Sequence, residues 1–286
     1  MDALHYLQTH LPPFWLEIVR LTIWLVLLSV LFVPLERLWA VRRQKILRKA
    51  FLTDLSYYFL NSILPGIILA FPLSLIAVTV HRFMPYRWQQ LPLELPLWAH
   101  LAAVALVAEI GFYWGHRWSH EFPLLWRFHA IHHSAEEIDW LINTRAHPLD
   151  MVFTRLCGLA PLYVLGLAQP VGKTTDLAPL ILVLAGTVWG FFVHANVRWR
   201  FGWLEWLLAT PTFHHWHHTR DEHRDHNYAP LFPVLDWLFG TLYMPKEARP
   251  ARYGTDTPVP THVAGQLLMP ILPGNIASQS VTTSPS

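Results

Sequence analysis

Two histidine-rich stretches decide the fold: residues 116–133 read HRWSHEFPLLWRFHAIHH, and residues 214–218 read HHWHH. Their histidines recur at helical offsets, four apart in one pair and i, i+3, i+4 in two triplets: His116 and His120, then His129, His132 and His133, then His214, His217 and His218. On an α-helix these offsets place side chains on one face, with Cβ atoms about 5–6 Å apart. The spacing therefore predicts three helical segments that each present histidines on a single face.

Imidazoles at that separation have the geometry of metal ligands. Two of them can bind one ion through bonds of about 2.0–2.1 Å, and the third of a triplet can reach a second ion. Imidazole suits Zn, Fe, Cu and Ni, whereas the single cysteine, Cys157, excludes an iron–sulfur cluster or a Cys-type zinc site. The alternative is that the histidines are solvated or structural. That alternative must explain three clusters beside apolar segments, where polar residues are costly and usually functional.

The composition points to a membrane protein. The chain has 286 residues, of which 53% are hydrophobic and only 14% are charged, whereas soluble domains carry about 25% charged residues. The high apolar fraction and the single cysteine exclude a disordered chain, a collagen and a disulfide scaffold. The formal net charge of +2 is too small to predict a nucleic-acid partner.

Five apolar stretches approach the about 20 residues that a membrane-spanning helix needs: 14–33, 55–80, 97–115, 151–168 and 177–193. The second contains Pro65 and Pro72, so it is either one kinked helix or a re-entrant pair. A short apolar piece at 204–208, next to tryptophans, predicts an interfacial helix. The Pro-, Thr- and Ser-rich C-terminus predicts disorder at 278–286.

Lysine and arginine set the predicted orientation. Six of them lie between residues 37 and 49, so the positive-inside rule makes this loop cytoplasmic. A single crossing by the second stretch then places 116–150 and everything from residue 194 onward on the same side, with an outer loop near 169–176. The sequence thus predicts an all-α, polytopic membrane helical bundle with a cytoplasmic histidine-rich cap that holds a dinuclear metal site.

The order of motifs is specific to one family. HRWSH at 116–120 is followed by HAIHHS at 129–134, RAHP at 145–148, HANVRW at 194–199, HHWHH at 214–218, NYA at 227–229 and DWLFGT at 236–241. Over residues 100–245 the chain resembles the fatty acid hydroxylase / sterol desaturase superfamily of integral-membrane diiron oxygenases. The family's usual NYG is NYA here, a mild change that touches no expected ligand.

The resemblance implies ten metal-binding histidines: His116, His120, His129, His132, His133, His147, His194, His214, His217 and His218. His147 is expected as a ligand or as a neighbour of the ligands, whereas His215, His223 and His226 are expected to be non-ligands. Metal-binding histidines usually hydrogen-bond through their other nitrogen to a carboxylate or carbonyl. Glu109, about two helical turns before His116, is the favoured carboxylate for that role.

The resemblance also implies two iron ions, with zinc as a possible substitute, and O2 as co-substrate. The expected activity is hydroxylation, or else desaturation, of a lipid or sterol-like substrate at an unactivated C–H bond. Electrons would come from a separate donor such as cytochrome b5, a ferredoxin or a reductase. The expected organisation is N-terminal membrane segments at 1–96, a catalytic domain at 97–246 and a tail at 247–286.

Two other functions stay open on the residues alone. The first is a zinc-dependent membrane hydrolase, although no HExxH motif occurs in the chain. The second is a metal-binding or metal-transport protein without catalysis. Transporters tend to place their ligands midway through the bilayer, whereas these histidines flank the ends of apolar stretches.

Overall fold

The structure is a computed structural model that describes residues 10–168, 178–246 and 248–272. Within these ranges the chain is helical and has no β-strand, only two isolated bridges, Ala40 with Val197 and Thr219 with Tyr253. The helices are α1 Pro13–Trp39, α2 Phe51–Phe83, α3 Tyr86–Gln90, α4 Leu97–Glu121, α5 Pro123–His133, α6 Pro148–Val164, α7 Ala178–His194, α8 Pro211–His217, α9 Val234–Leu238 and α10 Val263–Leu268. The all-α prediction is confirmed.

Three helices, α1, α2 and α4, are long and apolar enough to cross a membrane, with 27, 33 and 25 residues. The fourth and fifth predicted spans are also helical, as α6 and α7, but each has 17 residues. At 1.5 Å per residue such a helix is about 25 Å long, less than the about 30 Å of a bilayer core. Within the described residues, three of the five apolar stretches thus form helices of span length, and α7 is described only from Ala178 onward. The predicted outer loop at 169–176 and the disordered tail at 278–286 lie outside the described residues.

The second apolar stretch forms one helix. Pro65 and Pro72 both lie inside α2, which continues from Phe51 to Phe83 without a break, so the re-entrant pair is excluded. Its 33 residues measure about 50 Å, so α2 extends beyond a bilayer core. Asn61, near the N-terminal end, donates to the carbonyls of Thr144 and Ala146 at 2.8 Å each, which anchors that end among the histidine-bearing segments.

The histidine segments and the basic loop lie at the same end of the bundle. The amide N–H groups of Val41 and Arg42 both donate to Asn196 Oδ1 at 3.1 Å. The Gln44 side chain donates to the Ile138 carbonyl at 2.9 Å. These contacts join loop 40–50 to the residues that follow α5 and α7. The short 3-10 turn Gly202–Trp206, with exposed Trp203 and Trp206, occupies the predicted interfacial piece.

Helices α4 and α6 pack with their backbones in direct contact. A Cβ at Gly111 of α4 would lie 2.2 Å from the Cys157 carbonyl oxygen of α6, so only glycine fits there. Cys157 is half-buried and free. This close crossing fixes the C-terminal turn of α4, which carries His116 and His120, against the start of α6.

Candidate metal centre

Proline and capping residues start the two short histidine helices. α4 ends at Glu121, and α5 begins immediately at Pro123, which occupies the first turn, where its missing N–H is not needed. α8 likewise begins at Pro211 and is capped by Thr210, whose hydroxyl accepts from the Phe213 N–H. These starts set the register in which the histidines of α5 and α8 face the end of α4.

Nine of the ten expected ligands converge in two groups. Within each group, one nitrogen from every imidazole lies within 4.8 Å of the others: His116, His120, His129, His133 and His217 in the first group, and His132, His194, His214 and His218 in the second. The two groups adjoin, because the ring centroid of His133 is 4.7 Å from that of His218 and the ring centroid of His217 is 5.2 Å from that of His214. This is the arrangement of two neighbouring metal sites.

Backbone carbonyls fix the protonation of several imidazoles. His116 Nδ1 lies 2.7 Å from the Tyr228 carbonyl, His132 Nδ1 lies 2.9 Å from that of Arg145, and His217 Nδ1 lies 2.9 Å from that of His226. His194 makes the same contact with Gly190 at 2.8 Å. Since a carbonyl only accepts, each Nδ1 carries the proton and each Nε2 keeps its lone pair. The lone pairs are therefore free for a metal.

The Nε2 atoms crowd together inside each group. Nε2–Nε2 distances are 2.9 Å between His214 and His194, 3.1 Å between His218 and His214, and 3.4 Å between His194 and His132. In the first group, His133 and His129 are 3.2 Å apart. His194 and His132 both direct unprotonated nitrogens at each other, and two lone pairs cannot share a hydrogen bond. A cation placed between them removes this repulsion, so the donor set fits a metal.

Burial keeps these imidazoles neutral. It is the main cause that lowers the pKa of His132, His133 and His214 well below the usual histidine value, and neighbouring histidines lower it further. The same holds for His217 and His218. A neutral imidazole is the form that binds metal. The two groups contain no carboxylate and no thiolate, a donor set that suits iron, zinc, copper or nickel.

Two carboxylates contact the Nδ1 atoms of histidines in the first group. Asp150 Oδ2 lies 2.9 Å from His129 Nδ1, and Asp225 Oδ1 lies 2.9 Å from His120 Nδ1. Asp150 is buried, whereas the Asp225 side chain is 52% exposed. The expectation for Glu109 was wrong. Its Oε1 instead accepts the N–H groups of Leu231 and Phe232, at 2.6 and 2.7 Å.

Asp236 acts on the site through the backbone. Its two carboxylate oxygens accept the N–H groups of Tyr228 and Ala229 at 2.7 and 2.9 Å. This fixes the peptide whose carbonyl orients His116. Burial raises the pKa of Asp236 to about 6, a shift that its hydrogen bonds oppose.

A buried ion network supports the second group. Arg145, whose carbonyl accepts from His132, pairs with Asp54 of α2 at 2.8 Å. Arg48 of the basic loop also pairs with Asp54 and contacts Asp139 with two nitrogens at 2.7 Å each. All four side chains are buried. Sequence analysis missed this network, although Asp54 is the only acidic residue in the apolar segment 51–83.

The remaining histidines of interest lie outside both groups. His147 Nδ1 accepts from the Leu149 N–H at 3.1 Å, and its Nε2 lies 3.2 Å from the Leu267 carbonyl. Both nitrogens are thus engaged away from the metal groups, so the geometry does not support a ligand role for His147. His215 instead contacts the Tyr253 hydroxyl at 3.1 Å. His223 lies beside Asp221, and His226 contributes only its carbonyl.

Comparison with known proteins identifies the family. The family model for fatty acid hydroxylases matches residues 101–241. Ornithine lipid hydroxylase OlsE of Rhizobium tropici is 30% identical over 263 residues, which cover 90% of this chain and 75% of the relative. The chain belongs to the fatty acid hydroxylase family. The segment that the family model matches contains all nine converging histidines.

Other relatives that match shorter parts of the chain are also lipid or sterol enzymes by name. Human alkylglycerol monooxygenase is 31% identical over 177 residues, 62% of this chain and 37% of the relative. Methylsterol monooxygenase 2-2 of Arabidopsis thaliana is 29% identical over 185 residues, 59% of this chain and 62% of the relative. The chain spans well under half the length of the human relative. No solved structure gives a significant match.

Proposed function

We propose that this chain is a membrane-embedded diiron oxygenase that hydroxylates a lipid at an unactivated C–H bond, using O2 and two electrons. The observation that carries the proposal is the pair of adjacent histidine groups, nine imidazoles with no carboxylate or thiolate among them. Three span-length helices in the same chain support a position of this centre beside a lipid phase. Relatives named hydroxylase and monooxygenase support this class of reaction.

The proposed ligands of one iron are His116, His120, His129, His133 and His217, and those of the other are His132, His194, His214 and His218. When bound, the irons supply the binding and reductive activation of O2 and the oxidation of the C–H bond. The chain orients the imidazoles through fixed carbonyls and carboxylates. Trp126, which is 3% exposed, packs its ring against His120 and His133 with centroid distances of 5.1 and 5.4 Å, and so shields the first group from water.

The proposed substrate is a lipid or sterol-like molecule that enters sideways from the bilayer. The relatives' names include an ornithine lipid, an alkylglycerol and a methylsterol among their substrates, and all three are amphiphiles with long or bulky apolar parts. Hydroxylation is favoured over desaturation because the three relatives described above are named hydroxylase or monooxygenase.

The electron donor is proposed to be a separate protein: a cytochrome b5, a ferredoxin or a reductase. A single cysteine cannot bind an iron–sulfur cluster, which takes four cysteines or two with two histidines.

The metal centre is proposed to face the cytoplasm, since it lies at the same end of the bundle as the basic loop 40–50. Residues 97–246 form the proposed catalytic domain, after membrane segments at 1–96 and before a tail at 247–286.

Metal content of the purified protein, prepared without a histidine tag from iron-supplemented medium, tests the proposal. We expect about two irons per chain. His132→Ala and His217→Ala should each abolish activity and lower the iron content, because each removes a ligand from one group. His215→Ala is the matched control, since His215 is buried in the same helix but bonds Tyr253 instead, and it should keep most of its iron.

Products then identify the reaction. With lipid extract, O2 and a reducing system, we expect lipids heavier by one oxygen atom. Zinc alone, unchanged by iron supply, together with O2-independent hydrolysis, would overturn the oxygenase in favour of a hydrolase. Loss of iron in His215→Ala as severe as in His217→Ala would overturn the assignment of ligands in α8.

A further inference from the structure

A cavity lies apart from the two histidine groups. It has a volume of about 200 Å³ and is enclosed by α1, the basic loop 40–50 and the start of the turn Trp140–Thr144. One part of its wall is apolar, with Val33, Phe51 and Leu141, and another is cationic: Arg37, Arg43 and Lys45. None of its lining residues belongs to the proposed metal ligands.

The carboxylates that line this cavity, Glu36 and Asp139, form no ion pair with its three cations. Asp139 is engaged with Arg48, through two contacts of 2.7 Å. Glu36 Oε1 already accepts the N–H groups of Trp140 and Asn196 at 2.8 and 2.9 Å.

The three cations have no such partner. In the part of the chain that the structure describes, no ion pair involves Arg37, Arg43 or Lys45. Arg37 donates only to the Gln44 carbonyl, at 3.0 Å. An anionic ligand would supply the missing charge.

The position of the cavity along α1 indicates that its ligand also has an apolar part. Its lining begins at Ser29, ten residues or about 15 Å before the end of α1 at Trp39, and it reaches the loop beyond the helix. The cavity thus extends from within a membrane-spanning segment to the membrane surface. Ile46, which lines the cavity and is 46% exposed, offers apolar surface there. A ligand that fits has an anionic head and an apolar chain.

We propose that this cavity binds an anionic phospholipid, with its phosphate among Arg37, Arg43 and Lys45 and its first acyl carbons against Val33 and Phe51. A water molecule occupies about 30 Å³ in the liquid, so the cavity has room for a phosphate and part of its glycerol. Charge-assisted contacts from arginine to phosphate are among the stronger polar interactions. The apolar wall distinguishes the site from one for free phosphate.

Lipid titration of the full chain in detergent, with bound lipid counted by native mass spectrometry, tests this proposal. Phosphatidylglycerol should bind saturably at one site, and phosphatidylcholine and inorganic phosphate should each bind at least about tenfold more weakly. The double variant Arg43→Gln/Lys45→Gln should weaken phosphatidylglycerol binding on the order of tenfold, since two of three charged contacts are lost. Both side chains are exposed, so the variant should fold.

Lys49→Gln is the matched control. It removes one positive charge from the same loop but does not line the cavity, so it should leave binding unchanged. An equal loss in Lys49→Gln, equal binding of phosphatidylcholine, or equal binding of inorganic phosphate would each overturn the proposal. The titration requires no metal and no turnover, so its failure would leave the oxygenase proposal standing, and the reverse also holds.

Discussion

At the scale of single residues, the geometry of the site depends on the groups that accept hydrogen bonds from the Nδ1 atoms of its histidines, such as Asp150 behind His129. Asp150→Asn removes the negative charge behind His129, and we expect iron affinity to fall by about 10–100-fold, the usual effect of changing a group that orients a ligand. Asp225→Asn should have a smaller effect, because solvent screens the exposed Asp225 carboxylate behind His120. Competition with a chelator of known affinity measures both.

Asp256→Asn is the control for these two variants. Asp256 is 82% exposed and pairs with Arg220 rather than with a histidine, so its replacement should leave iron affinity unchanged. If Asp150→Asn retained iron as well as Asp256→Asn does, the carboxylate would have no role in orienting His129.

The same residues show what sequence could and could not predict. Local offsets of three and four residues predicted the histidine faces, because helix geometry alone brings those side chains together. Asp150 and His129 are 21 residues apart, and Asp225 and His120 are 105 apart. Their contacts depend on how helices pack and on where a loop returns, which no local pattern specifies. Glu109 lies in α4 as predicted, about two helical turns before His116. Its partners, however, are the backbone N–H groups of Leu231 and Phe232 in a loop.

At the scale of helices, the α4–α6 crossing depends on Gly111. Gly111→Ala places a Cβ against the Cys157 carbonyl, so the helices must separate, and we expect a destabilisation of about 1–3 kcal/mol. Gly66→Ala in α2 is the control, because nothing lies within 4 Å of its Cβ position. It should be neutral or stabilising by up to about 1 kcal/mol. Unfolding in detergent measures both, and similar effects in the two variants would refute the close-crossing argument.

The same scale explains why only three of the five apolar stretches form helices of span length within the described residues. Hydropathy detects an apolar stretch whether it faces lipid or packs against protein, and α6 is apolar because it packs against α4 and α2. Composition therefore predicted that α6 and α7 are apolar helices, but it did not predict that the described part of each has 17 residues. Pro65 and Pro72 left a re-entrant pair open beside one kinked helix, and the structure shows a single helix. A membrane helix tolerates proline where its neighbours satisfy the freed backbone groups.

At the scale of the whole molecule, the proposed metals join distant parts of the chain. The nine ligands come from α4, α5, α7 and α8 and the residue after α8, so metal binding should stabilise the fold by mass action. At metal concentrations 100 times the dissociation constant the gain is about 2.7 kcal/mol. Chelation should then lower Tm by roughly 5–10 °C, and added iron should restore it. In His217→Ala the chelator should shift Tm less, and an unchanged Tm in the native chain would contradict this linkage.

The proposed orientation also makes a prediction for the whole molecule. Lys49 in the basic loop and Asp256 near the histidine groups should lie on the cytoplasmic side. Glu94, after the far end of α2, should lie on the other side, because α2 crosses once. In a Cys157→Ser background, we expect a membrane-impermeant maleimide added to intact cells to label Glu94→Cys but not Lys49→Cys or Asp256→Cys. Permeabilised cells control for reactivity, because all three positions are exposed and should then be labelled.

The labelling pattern also distinguishes an inverted topology from an incorrect packing of the basic loop. Labelling of Lys49→Cys and Asp256→Cys but not of Glu94→Cys would invert the topology and keep the basic loop and the metal centre together. Labelling of only one of Lys49→Cys and Asp256→Cys would separate the loop from the histidine end. That result would contradict the contacts of Asn196 and Gln44 that join them. The first outcome would contradict the orientation predicted by the positive-inside rule. The second would contradict the packing of the basic loop against the histidine end.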